Sequence, residues 1–145
     1  MGSSGKIRLL IVDDHPVVRQ GLADIFDQTD DIQVVGLAAD GVEAVTMSLK
    51  HGPDIVLMDL SMPNMDGMDA TRFLLKSCPD TRVLMLTSFS GKERVKEALR
   101  SGAVGYLLKD TPTEELIAGV RNAVKLRRSA PLAPSISTGN SDDGT

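Results

Sequence analysis

The chain has 145 residues, 41% of them hydrophobic, and a net charge of −4. That length gives one domain with a single core. The acidic balance argues against this segment gripping nucleic acid by itself, because phosphate backbones are held largely by clustered Lys and Arg. The lone cysteine, Cys78, excludes an internal disulfide and a multi-cysteine metal site, and no apolar stretch reaches the roughly 20 residues of a membrane helix.

The first residues, MGSSGK, lack the apolar core of a signal peptide. Residues 1–5 read as an expression leader, and the absence of export and disulfide signals points to the cytoplasm. Five short apolar runs follow, each a candidate buried strand: Ile7–Val12, Ile32–Ala38, Asp54–Met58, Arg82–Leu86 and Gly105–Leu108. A helix is expected from Pro16 to Asp27, with proline in its first turn and Val17, Val18, Gly21, Leu22, Ile25 and Phe26 as its buried face. A second helix starts near Asp40, where Glu43 completes a capping box, and ends at His51-Gly52-Pro53.

A third helix is expected over Met68–Ser77, with Cys78 as a small, partly buried residue near its end. A fourth runs over Lys92–Ser101 and stops at Gly102. The fifth opens on Thr111-Pro112-Thr113-Glu114, a capping box with proline at the first position. Its apolar stripe is Leu116, Ile117, Val120, Ala123 and Val124. Arg121, Lys125, Arg127 and Arg128 crowd its end, read as a solvated terminus that suits the helix dipole. Residues 129–145 are rich in Ser, Pro, Gly and Asp and read as a linker or tail leading to a further domain.

A strand–helix alternation repeated five times implies a parallel sheet with helices on both faces. One of the two common doubly wound orders is 2-1-3-4-5, the flavodoxin-like (βα)5 arrangement. It places strands 1 and 3 side by side. Asp13, Asp14 and Asp59 stand at the ends of those strands, in LLIVDDHP and DIVLMDLSMP. Ligands gather at such strand ends, and carboxylates this close need a cation or a proton between them. The expectation is an acidic metal pocket.

Asp13-Asp14, Asp59 in LMDLSMPNMDG, Thr87 in LMLTSF, and Tyr106 with Lys109 in GYLLKD together resemble the receiver domain of two-component response regulators. Each piece alone is weak; five in order are specific. The likeness covers residues 6–128, and DDHPVVRQGL is similar to the NarL/FixJ subfamily, whose receivers precede a helix-turn-helix DNA-binding domain. The resemblance implies that Asp59 is the phosphoacceptor and that Asp13, Asp14, Asp59 and the Ser61 carbonyl hold Mg²⁺, with Asp13 acting mainly through a bound water. It implies that Lys109 pairs with Asp59 and then with the phosphoryl oxygens, that Thr87 donates to the phosphate, and that Tyr106 changes rotamer with it. It also implies a sensor histidine kinase or a small phosphodonor as partner, and dimerisation or release of the DNA-binding domain as output. The chain is then a switch with self-phosphorylation and autodephosphorylation rather than a turnover enzyme. Ser61 and Phe89 would tune water access.

Each residue also has a plain reading. Asp59 can sit in a turn before Pro63, Asp14 can cap a helix, Thr87 can pack in a strand, and Tyr106 can be core or half-buried packing. Met58, Met62, Met65 and Met68 read as core and loop packing, and Pro63 and Gly67 as giving a fixed loop beside the acceptor. Many receivers carry proline after the lysine; here Asp110 follows Lys109. Two rival functions remain. A haloacid-dehalogenase-like phosphatase also uses a strand-end Asp with Mg²⁺, but wants a second Asp where Ser61 stands. A stand-alone interaction module would leave the acidic set without a purpose. Neither GxGxxG nor GxxxxGK[ST] occurs, which argues against a nucleotide enzyme.

Overall fold

The computed structural model describes residues 5–62, 65–88 and 92–126. Five parallel strands, β1 (Ile7–Val12), β2 (Ile32–Ala38), β3 (Ile55–Asp59), β4 (Arg82–Thr87) and β5 (Gly105–Leu108), form one sheet in the order β2-β1-β3-β4-β5. Five helices alternate with them: α1 (Pro16–Asp27), α2 (Gly41–His51), α3 (Gly67–Ser77), α4 (Lys92–Arg100) and α5 (Thr113–Ala123). The expected class and strand order are both found. Every residue of β3 is buried, as a central strand covered on both faces requires.

Side-chain alternation divides the core in two. Leu10, Val12, Val56, Met58, Val83 and Met85 face Ala44 of α2, Ala70 and Leu74 of α3 and Ala98 of α4. Leu9, Ile11, Ile55, Leu57, Leu84 and Leu86 face Leu22 and Phe26 of α1 and Leu116 and Val120 of α5. Met58 and Met68 belong to the first core, with Met62 and Met65 packed on its margin. No helix among the described residues is long and apolar enough to cross a membrane.

Several boundaries differ from expectation. β3 starts one residue later and includes Asp59, and β4 includes Thr87, so both acid and hydroxyl sit on the ladder itself. α3 begins at Gly67, capped by Asp66, whose Oδ1 accepts the Asp69 N–H at 2.9 Å. α4 ends at Arg100. The capping box of α2 is present: Asp40 Oδ1 accepts the Glu43 N–H at 2.9 Å, and Glu43 Oε1 accepts the Ala39 N–H at 2.7 Å. That return bond lands one residue before the cap. Gly52, with φ at +57°, closes α2 in the left-handed conformation that glycine adopts without strain.

The capping box of α5 does not form. Pro112 occupies the cap position itself, without a side-chain bond, and its carbonyl accepts the first helical N–H, from Leu116, at 2.9 Å. Thr111 is thereby placed too early to cap, its N–H being spent on the Leu108 carbonyl at 3.0 Å. Arg121 is not a free basic end: its guanidinium makes two 2.8 Å bonds to Asp31 ahead of β2. That guanidinium also lowers the Asp31 pKa. Arg127, Arg128 and residues 129–145 lie outside the described residues.

The buried face of α1 is the largest correction. Val17 is 85% exposed and Val18 39%, and Gly21 is exposed too. The inward line is Leu22, Ala23 and Phe26, and helical spacing continues it back to Arg19. A half-buried arginine thus fills the first-turn position where an apolar residue was expected, and its Nη1 donates to the Asp13 carbonyl at 2.6 Å. With Leu22, Ala23 and Phe26 turned inward, the two valines are left in solvent.

Gly67 marks the tightest approach among the described glycines. A Cβ there would collide with the Asp59 carbonyl oxygen and lie 2.9 Å from the Leu60 Cα. Both are backbone and cannot swing aside. Gly67→Ala is expected to lower stability by about 1–3 kcal/mol. Gly21→Ala, in open space on a helix, is expected to raise it by up to about 1 kcal/mol. Urea midpoints of the two variants should move in opposite directions.

Candidate acidic metal centre

Parallel pairing of Val12 with Met58 brings the ends of β1 and β3 level. Asp13 follows β1 and Asp59 is the last residue of β3, and both are buried, at 0% and 1% exposure. Asp13 is pinned at three points. Its N–H donates to the Ala38 carbonyl at 3.0 Å, its own carbonyl accepts from Arg19, and its Oδ1 accepts the His15 N–H at 2.8 Å. Asp59 is held similarly. Its Oδ1 accepts the Ser61 N–H at 3.2 Å and lies 3.1 Å from Lys109 Nζ.

Lys109 leaves the end of β5. Its backbone N–H donates to the Thr87 carbonyl at 2.8 Å, which fixes the two residues side by side. Its ammonium also stands 3.6 Å from Asp13 Oδ2. The Lys109–Asp110 bond is trans. Thr87 is buried at the end of β4 and pairs with Leu108. Tyr106 pairs with Met85 and is 40% exposed, so its side chain is not core. Asp14 is partly buried and Ser61 is exposed. Phe89 and Pro63 lie outside the described residues.

The structure thus gathers Asp13, Asp14, Asp59 and Lys109 into one pocket, with Ser61 and Thr87 at its edges. Tyr106 stands apart on the outer strand. Two participants were missed in the sequence. His15 is one: its Nδ1 lies 3.3 Å from Asp13 Oδ1 and 3.2 Å from Asp14 Oδ1. Its place directly after two acids was the available signal. Arg19 is the other, and its contact is tertiary, with no local signature. Ligand atoms of Asp13, Asp14, His15 and Asp59 all lie within 4.8 Å of one another.

Electrostatics follow from that crowding. Burial pushes the Asp59 carboxyl up to about 6, and the charge of Asp13 adds to the rise. Lys109 and the Ser61 N–H pull the other way without cancelling it. Asp13 Oδ2, Asp14 Oδ1 and Asp59 Oδ2 are buried and accept no hydrogen bond. Buried polar atoms are normally satisfied. Three unsatisfied oxygens on the acids of one cluster fit a hard cation that prefers oxygen ligands. Cys78, by contrast, is inert in character: it caps α3, is partly buried, and burial raises its thiol pKa.

Comparison with known proteins agrees with this geometry. The sequence pattern of the response regulator receiver domain family matches residues 9–121. The chain is 50% identical over 111 residues to YhcZ of Bacillus subtilis strain 168, described as an uncharacterized transcriptional regulatory protein. That match covers 77% of this chain and 52% of YhcZ. It is 45% identical over 120 residues to the oxygen regulatory protein NreC of Staphylococcus carnosus strain TM300, covering 82% of this chain and 55% of NreC. The chain therefore spans about half the length of these relatives. The solved signal receiver domain assigned to the response regulator NarL of Mycobacterium tuberculosis superposes with a TM-score of 0.79 at 36% identity, covering 84% of this chain and 98% of that one. This chain belongs to the response regulator receiver domain family, on the branch that it shares with NarL- and NreC-type regulators.

Proposed function

We propose that this chain is the phosphorylation switch of a transcriptional regulator, with Asp59 as the phosphoacceptor. The observation that carries the reading is the state of Asp59. It is a buried carboxylate with one oxygen fixed by Lys109 and the Ser61 N–H, and the other unpartnered beside two further acids. In the transfer, a carboxylate oxygen of Asp59 bonds to phosphorus while the donor's bond to phosphorus breaks, leaving an acyl phosphate. The donor is a sensor histidine kinase or a small phosphodonor. Asp13, Asp14, Asp59 and the Ser61 carbonyl would hold Mg²⁺, which supplies charge neutralisation for the phosphoryl oxygens.

The chain's own residues do the rest. Lys109 passes from the carboxylate to the phosphoryl group, where an ammonium point charge suits the new oxygens. The Thr87 hydroxyl donates a hydrogen bond to the phosphate. Tyr106, half in solvent at rest, moves inward as Thr87 shifts. The new group adds roughly two negative charges, and the face of α4, β5 and α5 repacks around it. A partner that prefers this face draws the equilibrium further, because only differential affinity shifts a population.

The relatives described as regulatory proteins are about twice as long as this match. That supports a whole protein in which residues 6–128 are the receiver, 129–145 a linker, and a C-terminal helix-turn-helix domain the output. Residues 1–5 are then a leader, homodimerisation accompanies phosphorylation, and the protein works in the cytoplasm without turning over a substrate.

Acetyl phosphate with Mg²⁺ should label the wild type, and the Asp59→Asn variant should take up no label by intact mass. Retained labelling would refute the acceptor. Lys109→Ala should slow labelling by about 10²-fold, the scale for losing one charge-stabilising donor.

Mg²⁺ binds only the folded pocket, so saturation at 100 times Kd should add about 2.7 kcal/mol of stability. The thermal midpoint should rise with Mg²⁺ in the wild type and stay flat in Asp14→Asn.

Proton linkage gives a third test. The Asp59 pKa is raised in the folded state, so the folded protein holds this proton more tightly than the unfolded chain between the ordinary carboxylate value and about 6. Its contribution to stability is present at low pH and is lost as pH rises through about 6. The effect is of order 2–3 kcal/mol at roughly 1.4 kcal/mol per unit. Without metal, the wild type should lose stability relative to Asp59→Asn as pH rises from the ordinary carboxylate value to about 6, and the two profiles should run parallel above that. Profiles that are parallel below about 6 as well would contradict the burial of an ionising Asp59.

A further inference from the structure

We infer that His15 is a nitrogen ligand, giving the acidic pocket a site for a divalent transition-metal ion of the imidazole-binding class, nickel(II) being the probe, in addition to Mg²⁺. The inference rests on the proposed reading of the pocket as a metal site and deepens it.

A cradle meant only for magnesium has no use for an imidazole, because that ion takes oxygen ligands and keeps its waters. Imidazole suits zinc, copper, iron and nickel. Here the ring is not placed at random. Nδ1 lies 3.2 Å from Asp14 Oδ1 and 3.3 Å from Asp13 Oδ1. Ligand atoms about 2.1 Å from a shared ion stand about 3.0–3.4 Å from each other in octahedral or tetrahedral shells. The ring nitrogen already has that spacing to each of the two carboxylates, and all the ligand atoms of the cluster lie within 4.8 Å of one another.

A second observation is independent of the ring. The fully buried carboxylates of Asp13 and Asp59 each keep an oxygen, Oδ2, that accepts no hydrogen bond. Asp13 Oδ2 faces only the Lys109 ammonium, at 3.6 Å, so the ligand set keeps buried oxygens without a hydrogen bond as well as the nitrogen.

The site is also pre-organised. The His15 N–H is bound to Asp13 Oδ1 at 2.8 Å, and Arg19 holds the Asp13 carbonyl at 2.6 Å. The backbone that carries the ring is fixed against the carboxylate that shares the ion. Less ordering is left to be done on binding. The ring itself is 65% exposed, so an ion can reach it from solvent and its removal leaves the core intact. The other histidine, His51, ends α2 and is not in the cluster.

The experiment is a pair of calorimetric titrations of the metal-free chain, with nickel chloride and with magnesium chloride, at one fixed pH. Wild type, His15→Ala, His15→Gln and His51→Ala are compared. In both His15 variants the nickel Kd should weaken by about 10–100-fold, the scale for losing ligand support at a metal site. The magnesium Kd should stay within about twofold. His51→Ala should change neither. Unchanged nickel affinity in the His15 variants would overturn the inference, and so would a parallel loss of both metals, which would mean that His15 only shapes the carboxylates. In either case, intact magnesium binding or acetyl phosphate labelling by the wild type leaves the proposed function standing. A wild type that binds neither ion and takes no label would bring down both.

Discussion

Three carboxylates held at the ends of two adjacent strands, against one ammonium, are the constraint on which the rest of this structure depends. Two unit charges 4 Å apart repel by about 4 kcal/mol at the effective dielectric of a protein margin. Lys109 stands against both Asp59 and Asp13, but its single charge leaves the rest of the negative charge unanswered. No local interaction could keep such a set together. The sheet does so: Leu9–Val12 of β1 and Ile55–Met58 of β3 are hydrogen-bonded in register and buried on both faces. Pulling the acids apart would mean breaking the central ladder of the domain. Burial and the repulsion are thus held rather than relieved: burial first, and the charge of Asp13 second, raise the Asp59 pKa, and three oxygens stay unsatisfied.

The same constraint accounts for how the loops around the pocket are built. Asp13 has its N–H, its carbonyl and one carboxylate oxygen all engaged by protein groups. Asp59 has one oxygen engaged and Gly67 pressed against its carbonyl. Asp13 and Asp59 are each held through one carboxylate oxygen, while the other, Oδ2, accepts no hydrogen bond. A mobile carboxylate would rotate toward water and dissipate the field. Arg19 belongs to this framework even though it sits on a helix: from the inward first-turn position of α1 it clamps the loop, while Val17 and Val18 stay exposed.

These particulars divide what was legible in the sequence from what was not. The strands were legible because a doubly buried parallel strand must be a short apolar run, and Ile7–Val12 admits no other economical reading. The site acids were legible because each closes such a run. The α1 face was misread because helical spacing shows which residues share a side, not which side turns inward; here the side of Leu22, Ala23 and Phe26 packs on the sheet, with Arg19 on it bonded to the Asp13 carbonyl. The α5 cap was misread because Thr111 and Pro112 suit a capping box and a bare proline cap equally well on sequence alone. His15 lay in plain view after two acids, yet its ring position depends on the turn between β1 and α1, which no periodicity encodes. Thr87, Tyr106 and Lys109 carried no chemistry of their own at the sequence level and were found by resemblance.

In the proposed switch, the route out of the pocket follows from the order of the strands. β3 and β4 are central and almost wholly buried, so neither can move without disturbing both cores. β5 is an edge strand of four residues, none of them fully buried. It is the cheapest part of the sheet to displace. It is also the strand that delivers Lys109 to Asp59, and its end is bonded to Thr87 through the Lys109 N–H. A charge arriving at Asp59 is therefore felt at once by the two side chains tied to the least constrained strand. Tyr106 lies on that strand, three residues before the lysine, with its side chain already partly in solvent. A rigid acceptor in the centre and a loose reporter at the rim are two consequences of one sheet order. Had β5 been placed beside β1, the lysine could still reach the acids, but the signal would end in the core.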